Sequence, residues 1–143
     1  MKVKIKLFDQ SLPLPEYKSS GAAALDLYSR LDLIIEPESI VYVPLNIALQ
    51  IPENYFVLMS ARSSLQKKGL MMANGIGIGD HDYCGDGDEY QAALYNFSQE
   101  KVSIEKGERL VQVIILSREK IELEKLENFT NNNRGGFGST GRK

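Results

Sequence analysis

Short apolar runs broken by turn-forming residues, with no stretch long enough for an amphipathic helix, decide what this chain can fold into. At residues 2–7 lysines alternate with Val3, Ile5 and Leu7, the period of a strand with one solvated, lysine-rich face. Further strand-like runs fall at 33–35, 40–43, 46–51, 55–60, 90–95, 102–104, 110–116 and 121–123, separated by turns carrying Pro, Gly or Asn. Residues 63–68 are the one place where a helical turn is expected. Many short strands with turn signals between them predict an all-β protein, a jelly-roll-like β-clip barrel or sandwich.

At 143 residues one core is expected, and no internal repeat or linker divides it. Seventeen basic residues against nineteen acidic ones give a net charge of −2, too balanced for a nucleic-acid or membrane surface, so any anion site must be local. The single cysteine, Cys84, rules out an internal disulfide, and no Cys/His cluster offers a zinc site. With neither a signal-peptide pattern nor an apolar run of membrane-spanning length, the chain is expected to be intracellular, cytoplasmic and soluble.

Two stretches carry chemistry. The first is the C-terminal RGGFGSTGRK at 134–143, where glycines allow backbone N–H groups to converge on an anion. The Arg134 guanidinium can fork onto phosphate oxygens, and Phe137 offers a flat face to a base. The glycine spacing approaches a P-loop, but Arg142 and Lys143 stand where Lys and Ser or Thr are required, and no helix follows. Composition alone reads the same segment as a disordered polar tail. A compact body over residues 1–130 followed by a glycine-rich tail over 131–143 is the expected division.

The second stretch, residues 74–96, reads as two strands around an acidic turn. Counted from Asp80, the acidic residues Asp80, Asp82, Asp86 and Asp88 approach a calcium loop, but the twelfth position is Gln91, which cannot supply the bidentate carboxylate. An exposed acidic hairpin is the plain alternative. A third reading has the carboxylate of Asp80 activating a water beside a sugar stacked on Tyr83.

The stretch GIGDHDYCG at 77–85 resembles the third motif of the trimeric dUTPases, G-V-I-D-x-D-Y-x-G. The family's other motifs are matched in order: GAAALDLYS at 21–29, ARSSL at 61–65, GERLVQVII at 107–115 and RGGFGSTG at 134–141. The resemblance implies a jelly-roll-like protomer, a homotrimer with active sites at subunit interfaces, and Mg²⁺-dependent hydrolysis of dUTP to dUMP and diphosphate. Such an enzyme keeps uracil out of DNA and supplies dUMP for thymidylate synthesis.

Residue by residue, it implies that Asp80 is the general base for the water attacking the α-phosphorus, and that Asp26 helps organise magnesium through water. Tyr83 is implied as the wall against the deoxyribose, excluding a 2′-hydroxyl, while Asn74 and Gly77 belong to the uracil-binding hairpin. Arg62, Ser63, Ser64 and Gln112 are implied to contact the phosphate chain. Arg134 would reach the γ-phosphate, Phe137 stack over uracil, and Gly138 and Ser139 face the phosphates, so that the tail closes as a flexible lid. Each has a plainer reading: a turn aspartate for Asp26, a core tyrosine for Tyr83, a helix cap for the serines, an outward strand residue for Gln112.

Gly79 stands where the family commonly has an apolar residue before the base, and is expected to loosen the backbone that aims Asp80. Ala24 and Cys84 also depart from the pattern, and His81 reads as an exposed loop residue. The stretch from Asp86 to Asn96 is about three residues longer than is usual in the family, with 87–89 expected as the insertion in a bulged or extended loop. Two rival functions share the fold. A dCTP deaminase needs a glutamate three residues before Asn96, where this chain has Ala93. A catalytically silent nucleotide-binding module needs only the pocket.

Overall fold

The computed structural model describes residues 1–136. Eleven strands follow one another: β1 (Lys4–Leu7), β2 (Leu25–Tyr28), β3 (Leu33–Ile35), β4 (Ile40–Pro44), β5 (Ile47–Gln50), β6 (Tyr55–Ala61), β7 (Leu70–Met72), β8 (Gly77–Gly79), β9 (Gln91–Asn96), β10 (Val102–Ile104) and β11 (Arg109–Ser117). A single 3₁₀ turn, Leu65–Lys68, lies where the helical turn is expected and closes on Gly69 at φ 80°. All pairings are antiparallel, in four sheets ordered β1-β5, β10-β3, β2-β11-β6-β8 and β4-β9-β7. The all-β class therefore holds, although the sheets do not join into one closed barrel.

Alternation explains which side chains turn inward. In β9, Ala92, Leu94 and Asn96 are buried while Gln91 faces solvent. In β11, Val111 and Val113 enter the core that also holds Leu27, Ile35, Val43, Leu70 and Ile104, each burial contributing about 1.5–3 kcal/mol. Asn96 sits fully buried because its amide is satisfied: Nδ2 donates to the carbonyls of Ile35 (2.9 Å) and Glu100 (2.7 Å), and Oδ1 accepts from Ser98 N–H and Oγ.

Several elements differ from the sequence expectation. β2 and β7 were not expected; each is fixed by its ladder to a longer strand, β11 or β9. Residues 121–123 form no strand, since nothing among the described residues pairs with them, and Ile121 and Leu123 are 79% and 86% exposed. Asn46 is a turn residue at φ 69°, its amide bonded to the backbone of Asp9, and β5 starts one residue later. No helix of the described residues is long and apolar enough to cross a membrane.

Candidate active site

β8 runs along the outer edge of the four-stranded sheet, with Met59 opposite Gly77 and Val57 opposite Gly79. It is reached from β7 through a tight turn in which Gly75, at φ 71°, donates to the Met72 carbonyl, and the Asn74 carbonyl accepts from Ile76. Asn74 is thereby exposed at the turn, and Asp80 is exposed one residue past the strand's end. The chain then turns, the Asp80 carbonyl accepting from Tyr83 N–H at 3.2 Å. Asn74, Gly77, Asp80 and Tyr83 line one cavity of about 420 Å³, together with Met59, Tyr90 and Gln91. Volume and mixed lining suit a small organic ligand.

The Tyr83 ring is held from two sides. Its hydroxyl donates to the Glu89 carbonyl at 3.0 Å, and it meets Tyr90 edge to face, centroids 5.5 Å apart at 81°. Burial first, then the charges of Asp88 and Glu89, raises its phenol above the usual tyrosine range, so it remains a neutral donor. Tyr83 is 41% exposed, so part of its ring remains open to the solvent.

A second cluster gathers at the other end of the same sheet. Gln112 of β11 lies between Asp26 of β2 and Ser60 of β6 in register. The buried Asp26 carboxylate is ion-paired with both flanking guanidiniums: Arg62 Nε lies 3.0 Å from Oδ1, and Arg109 Nη1 donates to Oδ2 at 3.0 Å. Arg62 Nη1 also donates to the Arg109 carbonyl and Gln112 Nε2 to that of Ala61, both at 3.1 Å. Asp26 and Gln112 share a cavity of about 290 Å³ with Lys18 and Ala22 to Ala24. Ser63 and Ser64 follow on the surface, and Ser64, at the N-cap of the 3₁₀ turn, makes no side-chain cap bond.

The two clusters do not meet within one chain. Position 80 falls at the Phe56 end of β6 and Gln112 opposite Ser60, about four residues or roughly 13 Å further along the strand, and two strands away. Arg134 lies exposed beyond both, and Phe137, Gly138 and Ser139 lie outside the described residues. The structure thus brings Asn74, Gly77, Asp80 and Tyr83 together, and separately Asp26, Arg62 and Gln112.

Three residues that matter locally are absent from the sequence expectation. Arg109 shares the Asp26 carboxylate, and its only sequence signal is its place in GERLVQVII. Glu89, read as part of the insertion, is instead buried framework: it accepts from Arg30 Nε (2.7 Å) and Nη2 (2.9 Å) and from Asn46 N–H (2.9 Å). The loop proper is Gly85 to Asp88, closed by the Asp88 carboxylate on Gly85 N–H (2.6 Å) and tied to β1 by Lys6 and Asp86 (2.5 Å). Tyr90 is 5% exposed and stands against Gly79, where an added Cβ would lie 2.4 Å from its hydroxyl. Gly79 is thus fitted to a filled space, and the expected loosening of the backbone gives way to close packing.

Fold and site define a class: a short-stranded all-β protein with a carboxylate at a strand end beside a ligand-sized cavity, and guanidiniums gathered around a second carboxylate elsewhere on the sheet. The dUTPase family model matches residues 10–141, and the chain belongs to that family. It is 41% identical over 147 residues to the deoxyuridine 5′-triphosphate nucleotidohydrolase of Hydrogenobaculum sp. (strain Y04AAS1), the match covering 100% of both chains. Its fold is similar to that of the Staphylococcus bacteriophage 80alpha dUTPase solved with dUPNHPP, at TM-score 0.86 and 24% identity over 98% of each chain. A mutant dUTPase from phage phi11 of S. aureus, at TM-score 0.81 and 20% identity, covers 92% of this chain and 100% of its own, and its structure describes coordination of a structural Mg(II) ion.

Proposed function

We propose that this protein hydrolyses dUTP to dUMP and diphosphate, with Asp80 as the general base. The observation that carries the reading is the exposed carboxylate at the end of β8, in one cavity with Asn74, Gly77 and Tyr83, in a chain of the dUTPase family. Asp80 takes a proton from water as the water oxygen attacks the α-phosphorus. The bond from that phosphorus to the bridging oxygen breaks, and diphosphate leaves. Asn74 and the backbone at Gly77 pair with the uracil edge. Discrimination against cytosine can then reach ~10⁴, because a mismatched edge leaves buried polar groups unpaired. The pinned Tyr83 ring is the wall that a 2′-hydroxyl would strike.

Arg62, Ser63, Ser64 and Gln112 hold the phosphate chain, and the tail from Arg134 closes over it. Because these groups stand apart from Asp80 within one chain, the complete site is built between copies, and a homotrimer supplies each site with both halves. An apolar groove lined by Val3, Ile5, Leu14, Tyr17, Leu25 and Ile115, and the exposed Ile121, Leu123 and Phe129, give such copies surfaces to bury. Both oxygens of Asp26 are already paired with guanidiniums, so this carboxylate would meet a magnesium ion through water, with the triphosphate oxygens as the direct ligands. When bound, the ion neutralises charge on the phosphates.

Diphosphate release from a panel of dUTP, dCTP and UTP, with and without Mg²⁺, tests this function. Release from dUTP alone is expected, with Asp80→Asn binding dUTP at near wild-type affinity but turning it over at least ~10²-fold more slowly. Deoxyuridine products from dCTP, binding without turnover, or wild-type turnover in Asp80→Asn would contradict it.

A further inference from the structure

We propose that Tyr90 and Gly79 form a size-matched pair that aims Asp80, which makes Tyr90 a positioning residue of the hydrolysis. The inference rests on Asp80 being the base. Gly79 is buried and sits in an ordinary ladder position opposite Val57, and it is not among the glycines with positive φ. Backbone freedom therefore does not require a glycine there. Space does: an ideal Cβ would stand 2.4 Å from the Tyr90 hydroxyl, 2.7 Å from its Cε1 and 2.9 Å from its Cζ. None of these separations is compatible with non-bonded carbon or oxygen atoms.

The ring is held from several sides. Tyr90 is anchored on both sides of its backbone, its N–H donating to the Ile47 carbonyl at 2.8 Å and its carbonyl accepting from Leu45 N–H at 2.9 Å. The preceding residue, Glu89, is fixed by Arg30 and Asn46, and the ring meets the edge of Tyr83. The Tyr90 hydroxyl has no hydrogen-bond partner among the described residues, so the phenol is placed by fit and not by a polar contact. It occupies the volume that a side chain at position 79 would take, and so forms the floor beneath the last residue before the base.

Asp80 follows that floor directly. Its carboxylate is exposed, and its direction follows from the backbone at 79 and 80 and the turn closed by Tyr83 N–H. A side chain at 79 must displace the Tyr90 ring or the end of β8, and a shift of the strand end carries the carboxylate with it. A misplacement of about 1 Å is enough to cost ~10²-fold in rate.

A double-mutant cycle at the two positions tests the pair, with kcat and KM for dUTP and thermal stability measured on the full chain. Gly79→Ala is expected to keep the fold and, with kcat referred to the folded fraction given by the stability measurement, to lower kcat by at least ~10-fold while KM changes by less than ~3-fold. Gly79→Ile is expected to be worse or not to fold. Tyr90→Val in the Gly79→Ile background, which exchanges the large and small partners, is expected to recover at least ~10-fold in kcat or to restore a folded, active protein. Wild-type kcat in Gly79→Ala overturns the proposal, as does a double variant no more active and no better folded than Gly79→Ile. Wild-type protein without dUTP turnover in the same assay would instead remove the assignment of the reaction, and the stabilities would still report whether the two side chains compete for one space.

Discussion

The Tyr90 hydroxyl is a buried donor without an acceptor among the described residues, and such a group costs about 1–3 kcal/mol relative to a satisfied one. Tyr90→Phe keeps the ring against Gly79 and removes that cost, so the variant is expected to be about 1 kcal/mol more stable at neutral pH, read from urea unfolding. The sign of the pH dependence follows from the same burial. Burial first, then the neighbouring Tyr83, Asp80 and Cys84, pushes the Tyr90 phenol up to about 12. Its stabilising contribution is therefore complete below the unfolded tyrosine value near pH 10 and is lost as pH rises from there towards 12. Unfolding curves from pH 9 to 12 should fall less steeply for Tyr90→Phe than for wild type; equal slopes would mean the phenol is not buried as described. Asp80 and Tyr83 were legible in the sequence because a motif of fixed spacing carries them. Tyr90 was not, since an aromatic in a strand-like run reads as core, and only the fold sets it against Gly79.

Strand-scale reading succeeded in β6, β9 and β11 and in three-residue β3 and β10, and missed β2 and β7, each of which is held by its ladder to a longer strand. It also failed at residues 121–123, where alternation was present without a ladder to join. Glu89 shows the same limit for a side chain. Beside a run of Asp and Gly it reads as loop, yet its burial depends on Arg30, 59 residues earlier, which packs against it with two nitrogens on its two oxygens. Hydrogen bonding to Glu89 raises the Arg30 guanidinium still further above its ordinary range, so the cation is permanent. Glu89→Ala leaves that cation and the Asn46 N–H without their acceptor and is expected to cost about 2–3 kcal/mol. A shift of the denaturant midpoint equivalent to less than about 0.5 kcal/mol would show that the pair does not hold the loop to the sheet.

For the molecule as a whole, the β2-β11-β6-β8 sheet carries the Asp80 cavity and the Asp26, Arg62 and Gln112 cluster at opposite ends. The sequence marked every one of these residues through its motifs but could not show which stand together, because distance along a chain says nothing about distance across a sheet. Under the proposed function, the separation of Asp80 from Arg62 and Gln112 calls for a second copy to complete the site. Mixing subunits tests this most directly. Asp80→Asn and Arg62→Ala chains, each nearly inactive alone, are coexpressed in equal amounts and the mixed assemblies assayed with dUTP. Sites shared between copies should restore roughly a quarter of wild-type activity, since about one site in four then draws Asp80 and Arg62 from two intact donors. Mixed assemblies that form but remain as inactive as their parents would contradict the account, placing the base and the phosphate clamp on the same chain.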